Sequence, residues 1–245
     1  MTDRIKDYSK EISTIRKAAC QKVERGGEVL VVNEDVVCEH ELEISVNGMP
    51  AFRLTCTPQH LTELVLGRLR TERIIDTVDE VEHLFLCGEG NIAEVRLRED
   101  IEFRPYSGAE AAPAHVTPVD PSPADVFALT EQFRADSALH RSTGGTHSCY
   151  IRFGDGRILS FEDIGRHNAL DKAVGAMLLE GMDPADCMLY TTGRVAADMV
   201  TKAIGAGIPV MISKAVPTEE AVILAKKNGL TLICRAWPDS FDEYM

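Results

Sequence analysis

Residues 28–56, EVLVVNEDVVCEHELEISVNGMPAFRLTC, open with β-branched runs and pass into strict alternation at Leu42, Ile44 and Val46 before Asn47-Gly48. Period-two spacing closed by Asn-Gly predicts strands joined as a hairpin. Pro58 then precedes LTELVLGRLRTERII, where Leu61, Leu64, Val65 and Leu69 recur at helical spacing. Residues 80–87 and 92–98 again read as strands. From Pro105 to Pro123 the texture changes to PYSGAEAAPAHVTPVDPSP, which holds five of the eleven prolines in nineteen residues. Little in it can pack, so it reads as a mobile loop or linker.

The remainder alternates. A helix over Ala124–Leu139 leads through Thr143-Gly144-Gly145 to strand THSCYIRF, and a Gly154-Asp155-Gly156 turn leads to strand RILSF. A helix starting near Asp163 runs to Leu179. Strand CMLYT, helix RVAADMVTKAIGA, strand IPVMIS, helix EEAVILAKKNG and strand LTLIC follow in order. Strands separated by ten to fourteen helical residues imply right-handed crossovers and a mostly parallel sheet covered by helices. The expected division is a β-rich N-terminal domain with one helix (1–104), the linker (105–123) and a three-layer α/β domain (124–245).

Composition narrows the setting. Hydrophobic residues make up 44% of 245 positions, enough for a sizeable core. No apolar run approaches membrane-spanning length, and MTDRIKDYSKEISTIRK is unlike a signal peptide, so a cytoplasmic protein without membrane contact is expected. A net charge of −13 opposes nucleic-acid binding, whose free energy comes largely from cations meeting phosphates. It leaves room for one anionic ligand at helix N-termini. The seven cysteines are odd in number, and no two lie closer than 18 positions. That argues for reduced thiols and, with no Cys-x-x-Cys element, against zinc.

Ligands of open α/β sheets bind beyond the C-terminal strand ends. Two such corners are legible. At Thr191-Thr192-Gly193-Arg194, a glycine admits a ligand to the backbone and Arg194 offers a bidentate donor; Ser213 to Thr218 adds Lys214 and a hydroxyl cap at Thr218. Both also read as ordinary helix capping. In EDIGRHNALDK, Asp163, Arg166, His167 and Asp171 are denser than a helix start requires, and His167 falls within the apolar stripe of Leu170, Val174, Met177 and Leu178. In THSCYIRF, His147 and Cys149 share a strand face, where an imidazole favours a thiolate. Cys149 is also the kind of small residue that strands bury.

NGMPAFRLTCTPQHLTELVLGRLRTERII, TGGTHS, EDIGRHNALDKAVG, TTGRVAADMVTKAIGAGIPVMISKAVPTEEAVILAKKNGLTL and the near-terminal Tyr244 together resemble the formate dehydrogenase accessory sulfurtransferase family, FdhD/NarQ. The resemblance runs from about residue 28 to the C-terminus. It implies a cytidine-deaminase-like α/β domain beside a smaller N-terminal domain, usually in a homodimer. It also implies formate dehydrogenase as client, a cysteine desulfurase as sulfur donor, and the guanine dinucleotide form of molybdenum cofactor as ligand. The residues placed at that ligand are Asp163, Arg166, His167, Thr192, Gly193, Arg194, Lys214, Thr218 and Arg235.

Two departures from the family pattern matter. The loop that carries a Cys-Gly-x-Cys-Gly pair in the family is here Ser107-Gly108-Ala109-Glu110-Ala111-Ala112-Pro113, and Cys234-Arg235-Ala236-Trp237 stands where Gly-Phe-x-Arg is usual. Two functional readings follow. One is a sulfurtransferase using Cys149, assisted by His147, with Cys234 in reserve; the other is a chaperone that binds molybdopterin or guanine nucleotide without transferring sulfur. A zinc nucleobase deaminase is excluded, because neither His-x-Glu nor Pro-Cys-x-x-Cys is present.

Overall fold

The computed structural model describes residues 4–103 and 115–244. The first part contains β1 (Ile5–Asp7), β2 (Ile15–Val23), β3 (Val29–Val37), β4 (His40–Val46), β5 (Met49–Cys56), α1 (Leu61–Thr71), β6 (Val81–Leu86) and β7 (Ile92–Leu97). The second contains α2 (Pro123–Asp136), α3 (Ala138–Thr143), β8 (His147–Arg152), β9 (Ile158–Asp163), α4 (Arg166–Leu179), β10 (Met188–Thr191) and α5 (Ala197–Ala206). It ends with β11 (Val210–Ser213), α6 (Glu219–Asn228), β12 (Thr231–Trp237) and β13 (Ser240–Tyr244). The family loop at Ser107–Pro113 lies outside the described residues.

Asn47 and Gly48, both at positive φ, close the β4–β5 hairpin, as an Asn-Gly pair between right-twisted strands should. These strands join a five-stranded sheet ordered β1-β6-β7-β4-β5. Strands β2 and β3 pair only with each other, forming an exposed two-stranded arm. The second sheet is ordered β13-β12-β11-β10-β8-β9. It is mixed rather than mostly parallel: only β10–β11 and β11–β12 are parallel pairs. The tight turn after β8 and the short link between β12 and β13 are too brief for a crossover, so those neighbours run antiparallel. Helices α4, α5 and α6 pack on one face, and α2 covers the other over Tyr150, Tyr190, Val210 and Ile212. The result is an α/β fold of three layers.

The C-terminal part of the proline-rich stretch is anchored. Val116 N–H donates to the Asn228 carbonyl at 3.0 Å, Thr231 Oγ1 donates to the Val119 carbonyl at 2.6 Å, and Pro121 is buried. Helix α4 begins at Arg166 rather than near Asp163, because β9 keeps its ladder through Asp163.

Helix α1 crosses α4 at the seam between the two sheets. A Cβ on Gly67 would collide with the Asp171 carbonyl, and one on Gly175 with the Glu63 carbonyl, so only glycines let the backbones come this close. One contiguous apolar core then runs through both parts, from Leu42 and Leu84 to Met177 and Leu232.

Two buried ion pairs flank the crossing. Lys172 Nζ lies 2.7 Å from Asp163 Oδ2 and donates to Thr57 Oγ1 at 2.7 Å; both charged side chains are fully buried. Lys202 Nζ meets Asp171 at 2.9 and 3.1 Å and donates to Thr71 Oγ1 at 2.8 Å. Each pair ties the α1 segment to the C-terminal helices. No helix among the described residues is long and apolar enough to cross a membrane.

Replacing Gly175 with Ala should lower stability in urea unfolding by about 3 kcal/mol, from overpacking against a backbone that cannot yield. Gly26→Ala, in open space, should stay within about 0.5 kcal/mol. Removing one member of the inner pair, as in Lys172→Ala, should cost about 3–5 kcal/mol by stranding the Asp163 carboxylate. Equal midpoints for Gly175→Ala and Gly26→Ala would refute this account of the crossing.

Candidate functional site

A cavity of about 480 Å³ opens beyond the ends of the central strands, lined by the Gly144–His147 turn, Ile164, Thr192, Lys214, Ala215, Phe133, His140 and Trp237. Its walls are held by Glu162, whose carboxylate accepts from the Leu139 and His140 amides at 2.9 and 2.8 Å and from Thr146 Oγ1 at 3.2 Å. Gly144 ends α3 in the left-handed region, and Gly145 leaves room for Val37 of the arm to pack against the rim. His140 Nδ1 donates to the Thr146 carbonyl at 2.6 Å, which fixes the ring with Nε2 as its remaining polar atom. Thr192 Oγ1 accepts from Ser148 N–H at 3.0 Å and so ties β10 to β8.

The lining is cationic. It contains two imidazoles and an ammonium and no carboxylate among the described residues, in a chain of net charge −13. Burial lowers the His147 imidazole below its ordinary range, and Arg166, His140 and His167 add to the effect. Neutral His147 therefore gains a proton only in acid or when an anion arrives. Beside the cavity, His167 Nε2 donates to Asp198 Oδ2 at 2.7 Å, with Arg166 Nη2 3.9 Å from the same oxygen. Burial alone would raise the Asp198 carboxyl, but the His167 hydrogen bond and charge, the Met199 amide and the Arg166 charge together outweigh it and hold the group below the usual range. Lys214 Nζ sits 4.8 Å from the Phe133 ring centroid and 4.9 Å from that of Trp237.

Of the residues expected at a ligand, Thr192 and Lys214 line the cavity, as does His147, expected as the partner of Cys149; Arg166 and His167 lie near enough to act on the His147 charge. The others fall elsewhere. Asp163 is fully buried, with Oδ1 accepting from Gly165 N–H and Asn168 Nδ2 and Oδ2 paired to Lys172 and Thr57. It builds the helix start and does not face the cavity. Gly193 accommodates the Arg166 stem, whose Cβ would lie 2.9 Å from an added Cβ, rather than admitting a ligand to the backbone. Arg194 is exposed and outside the lining. Thr218 Oγ1 accepts from Ala221 N–H at 3.3 Å as the N-cap of α6. Arg235, at φ 47, turns outward to Asp242 at 3.1 Å.

Cys149 is corrected more sharply. It shares the strand with His147 but is fully buried in the core, where burial, and secondarily Asp171, push its thiol far above the ordinary range. Burial therefore disfavours the expected thiolate. Cys234, the reserve, is also buried and pushed up to about 12 by burial first and Asp242 second. Cys87 sits in the β6–β7 turn. Partial burial would raise it, yet the backbone N–H groups of Ile92, Glu89, Asn91 and Gly90 outweigh that and hold it below the usual thiol range.

Sequence reasoning missed His140, Phe133 and Trp237. His140 and Phe133 come from a helical stretch with a weak apolar pattern. Trp237 lines the cavity from beyond a β12–β13 register shift between Cys234 and Trp237.

Comparison with known proteins places this architecture. The FdhD/NarQ family profile matches residues 37–245. The sulfur carrier protein FdhD of Bacillus subtilis (strain 168) is 30% identical over 238 residues, covering 89% of this chain and 91% of that protein. That of Sulfurisphaera tokodaii is 32% identical over 236 residues, covering 89% and 92%. The crystal structure of a protein assigned as a formate dehydrogenase accessory protein from Desulfotalea psychrophila superposes with a TM-score of 0.81 at 25% identity, covering 95% of this chain and 97% of that one. With the profile covering most of its length and relatives aligned over nearly nine-tenths of it, the chain belongs to the FdhD/NarQ family.

Proposed function

We propose that this protein is a formate dehydrogenase accessory protein of molybdenum cofactor maturation that binds the guanine dinucleotide form of the cofactor, with the diphosphate in the imidazole–lysine cavity. The observation that carries this reading is the carboxylate-free cationic lining within an acidic chain. A cavity of about 480 Å³ lies in the range of small-molecule sites. Lys214 supplies donors to phosphate oxygens, and His147 takes up a proton as the anion binds. Formate dehydrogenase is the proposed client, and a second copy of the chain the proposed dimer partner. Burial of Cys149 favours a binding role over sulfur transfer at that residue.

A second reading, sulfur carriage, rests on Cys87. Its thiolate would attack the terminal sulfur of a cysteine desulfurase persulfide, forming a new S–S bond as the donor cysteine leaves as thiolate. The turn amides at Cys87 favour the attacking form.

Calorimetry with guanosine diphosphate tests the binding role. Lys214→Ala should weaken affinity about tenfold or more, the worth of a charge-assisted hydrogen bond, whereas Arg194→Ala should leave it unchanged. Affinity should rise as pH falls below about 6.5, through the lowered His147 range, because the protonated ring binds the anion better. No binding, or a loss in Arg194→Ala equal to that in Lys214→Ala, would sink the assignment.

Timed alkylation with peptide mapping tests the thiols. Cys87 should label fast and keep its rate at lower pH than an ordinary thiol, while Cys149, Cys187 and Cys234 stay unlabelled until the protein unfolds. Persulfide loading by a desulfurase should fall on Cys87 and vanish in Cys87→Ala. Loading on Cys149 would overturn this order.

A further inference from the structure

Among the described residues, β2 and β3 pair with each other and with no other strand. Their nine-residue strands stay in register from Ile15 opposite Val37 to Val23 opposite Val29, with no bulge, so the ribbon is about 30 Å long. Its base is fixed: Cys38 N–H donates to the Thr14 carbonyl at 2.8 Å, and Val37 packs against Gly145. Beyond the base both outer edges are open, and no proline between Ile15 and Val37 blunts them. A lone two-stranded ribbon is at best marginal in water, so one this long and regular calls for a covering surface.

The side chains of the arm define that surface. Val23 and Val29 are cross-strand partners and Val31 stands two residues further along the same face; they are 68%, 52% and 77% exposed. Leu30 and Val36 are exposed on the opposite face. Five exposed large aliphatic residues in one ribbon form a patch, unlike the single apolar residues scattered over any protein surface. Charge singles out the same segment. Four basic and four acidic residues between Ile15 and Val37 cancel, so the whole net charge of −13 lies outside the arm. The arm can therefore approach an acidic protein, a second copy of this chain included, without net repulsion.

We propose that the arm docks on the body of a second copy of this chain through the face that carries Val23, Val29 and Val31, while the partner's arm reaches back in the same way. This inference rests on the reading above that a second copy is the partner, and it names the surface. Area favours a second copy over an unrelated protein. A ribbon about 30 Å long and about 10 Å wide covers about 300 Å². One arm on a foreign surface thus removes about 600 Å² counted on both sides, the range of incidental contacts. A two-fold axis makes the contact twice, and two reciprocal arms remove about 1,200 Å², where specific interfaces begin.

Sedimentation of the intact protein over a range of concentrations tests this. The wild type should form a dimer. The double substitution Val29→Lys with Val31→Lys sets two ammonium groups on the docking face and should weaken dimerisation about tenfold or more. Val29→Ile with Val31→Ile, and Ile223→Lys at an exposed site outside the arm, should leave it unchanged. Circular dichroism of every variant should match the wild type, because these side chains meet solvent within one chain. Hydrogen exchange of the wild type gives a readout that needs no variant: amides of residues 15–37 should exchange slowly in the dimer and faster on dilution below its dissociation constant, while those of β4 and β5 hold constant. A dimer that the double lysine substitution does not weaken, or whose arm exchanges at one rate at all concentrations, overturns the arm as the interface and leaves the second-copy reading standing. A wild type that is monomeric at every concentration overturns both.

Discussion

Backbone meets backbone where α1 crosses α4, with Gly67 against the Asp171 carbonyl and Gly175 against Glu63. Everything at the site is positioned from that contact. The close approach buries Asp171 and draws Lys202 onto it from α5. Next to Asp171, Lys172 reaches back to Asp163 and fixes the end of β9 and the start of α4. Ile164, Arg166 and His167 follow from where that helix begins, and Glu162, one residue before Asp163, holds His140 and Thr146 in the cavity wall. Buried ion pairs contribute little net stability, since desolvation offsets most of their attraction. Here they act as registers, because shifting either helix strands a charge.

Local rules carried far where one face of an element meets water. The alternation at Leu42, Ile44 and Val46 and the Asn47-Gly48 turn were legible because β4 and β5 have an inside and an outside. Helix α4 has no such contrast. Residues 168–178 are all buried, so its sequence pattern cannot tell which polar side chain points to a ligand and which to a neighbouring helix. Asp171 looked like a site residue for that reason, as did Asp163 just before the helix, and both are ion-pair partners instead. Trp237 shows the converse: a register shift decides which way the strand faces there, and residue pattern does not encode it. Among the expected thiols, Cys149 shares a strand face with His147, but one position lies at the strand end and the other in the core.

The site reconciles two demands. A net charge of −13 opposes polyanions in general, while the lining of the proposed anion site has no carboxylate among the described residues. Imidazoles suit such a site, because burial favours the neutral form of His147 and the ring need not be held charged against it. The thiols are sorted by the same physics. Burial in the sheet raises the Cys149 thiol, and at Cys87, where turn amides face the sulfur, the balance is reversed.

The α1–α4 contact also has a consequence for biogenesis. Arg68 and Asp171, which meet across it, are 103 residues apart in sequence. The first sheet and α1 leave the ribosome long before α4 exists to cover them, so the nascent chain carries an unmated apolar face through much of its synthesis. Closure must wait for a long-range encounter, the kind that slows folding and leaves chains open to aggregation. Neither part of this protein is expected to mature alone; the seam that organises the cavity also makes the polypeptide a late and cooperative folder.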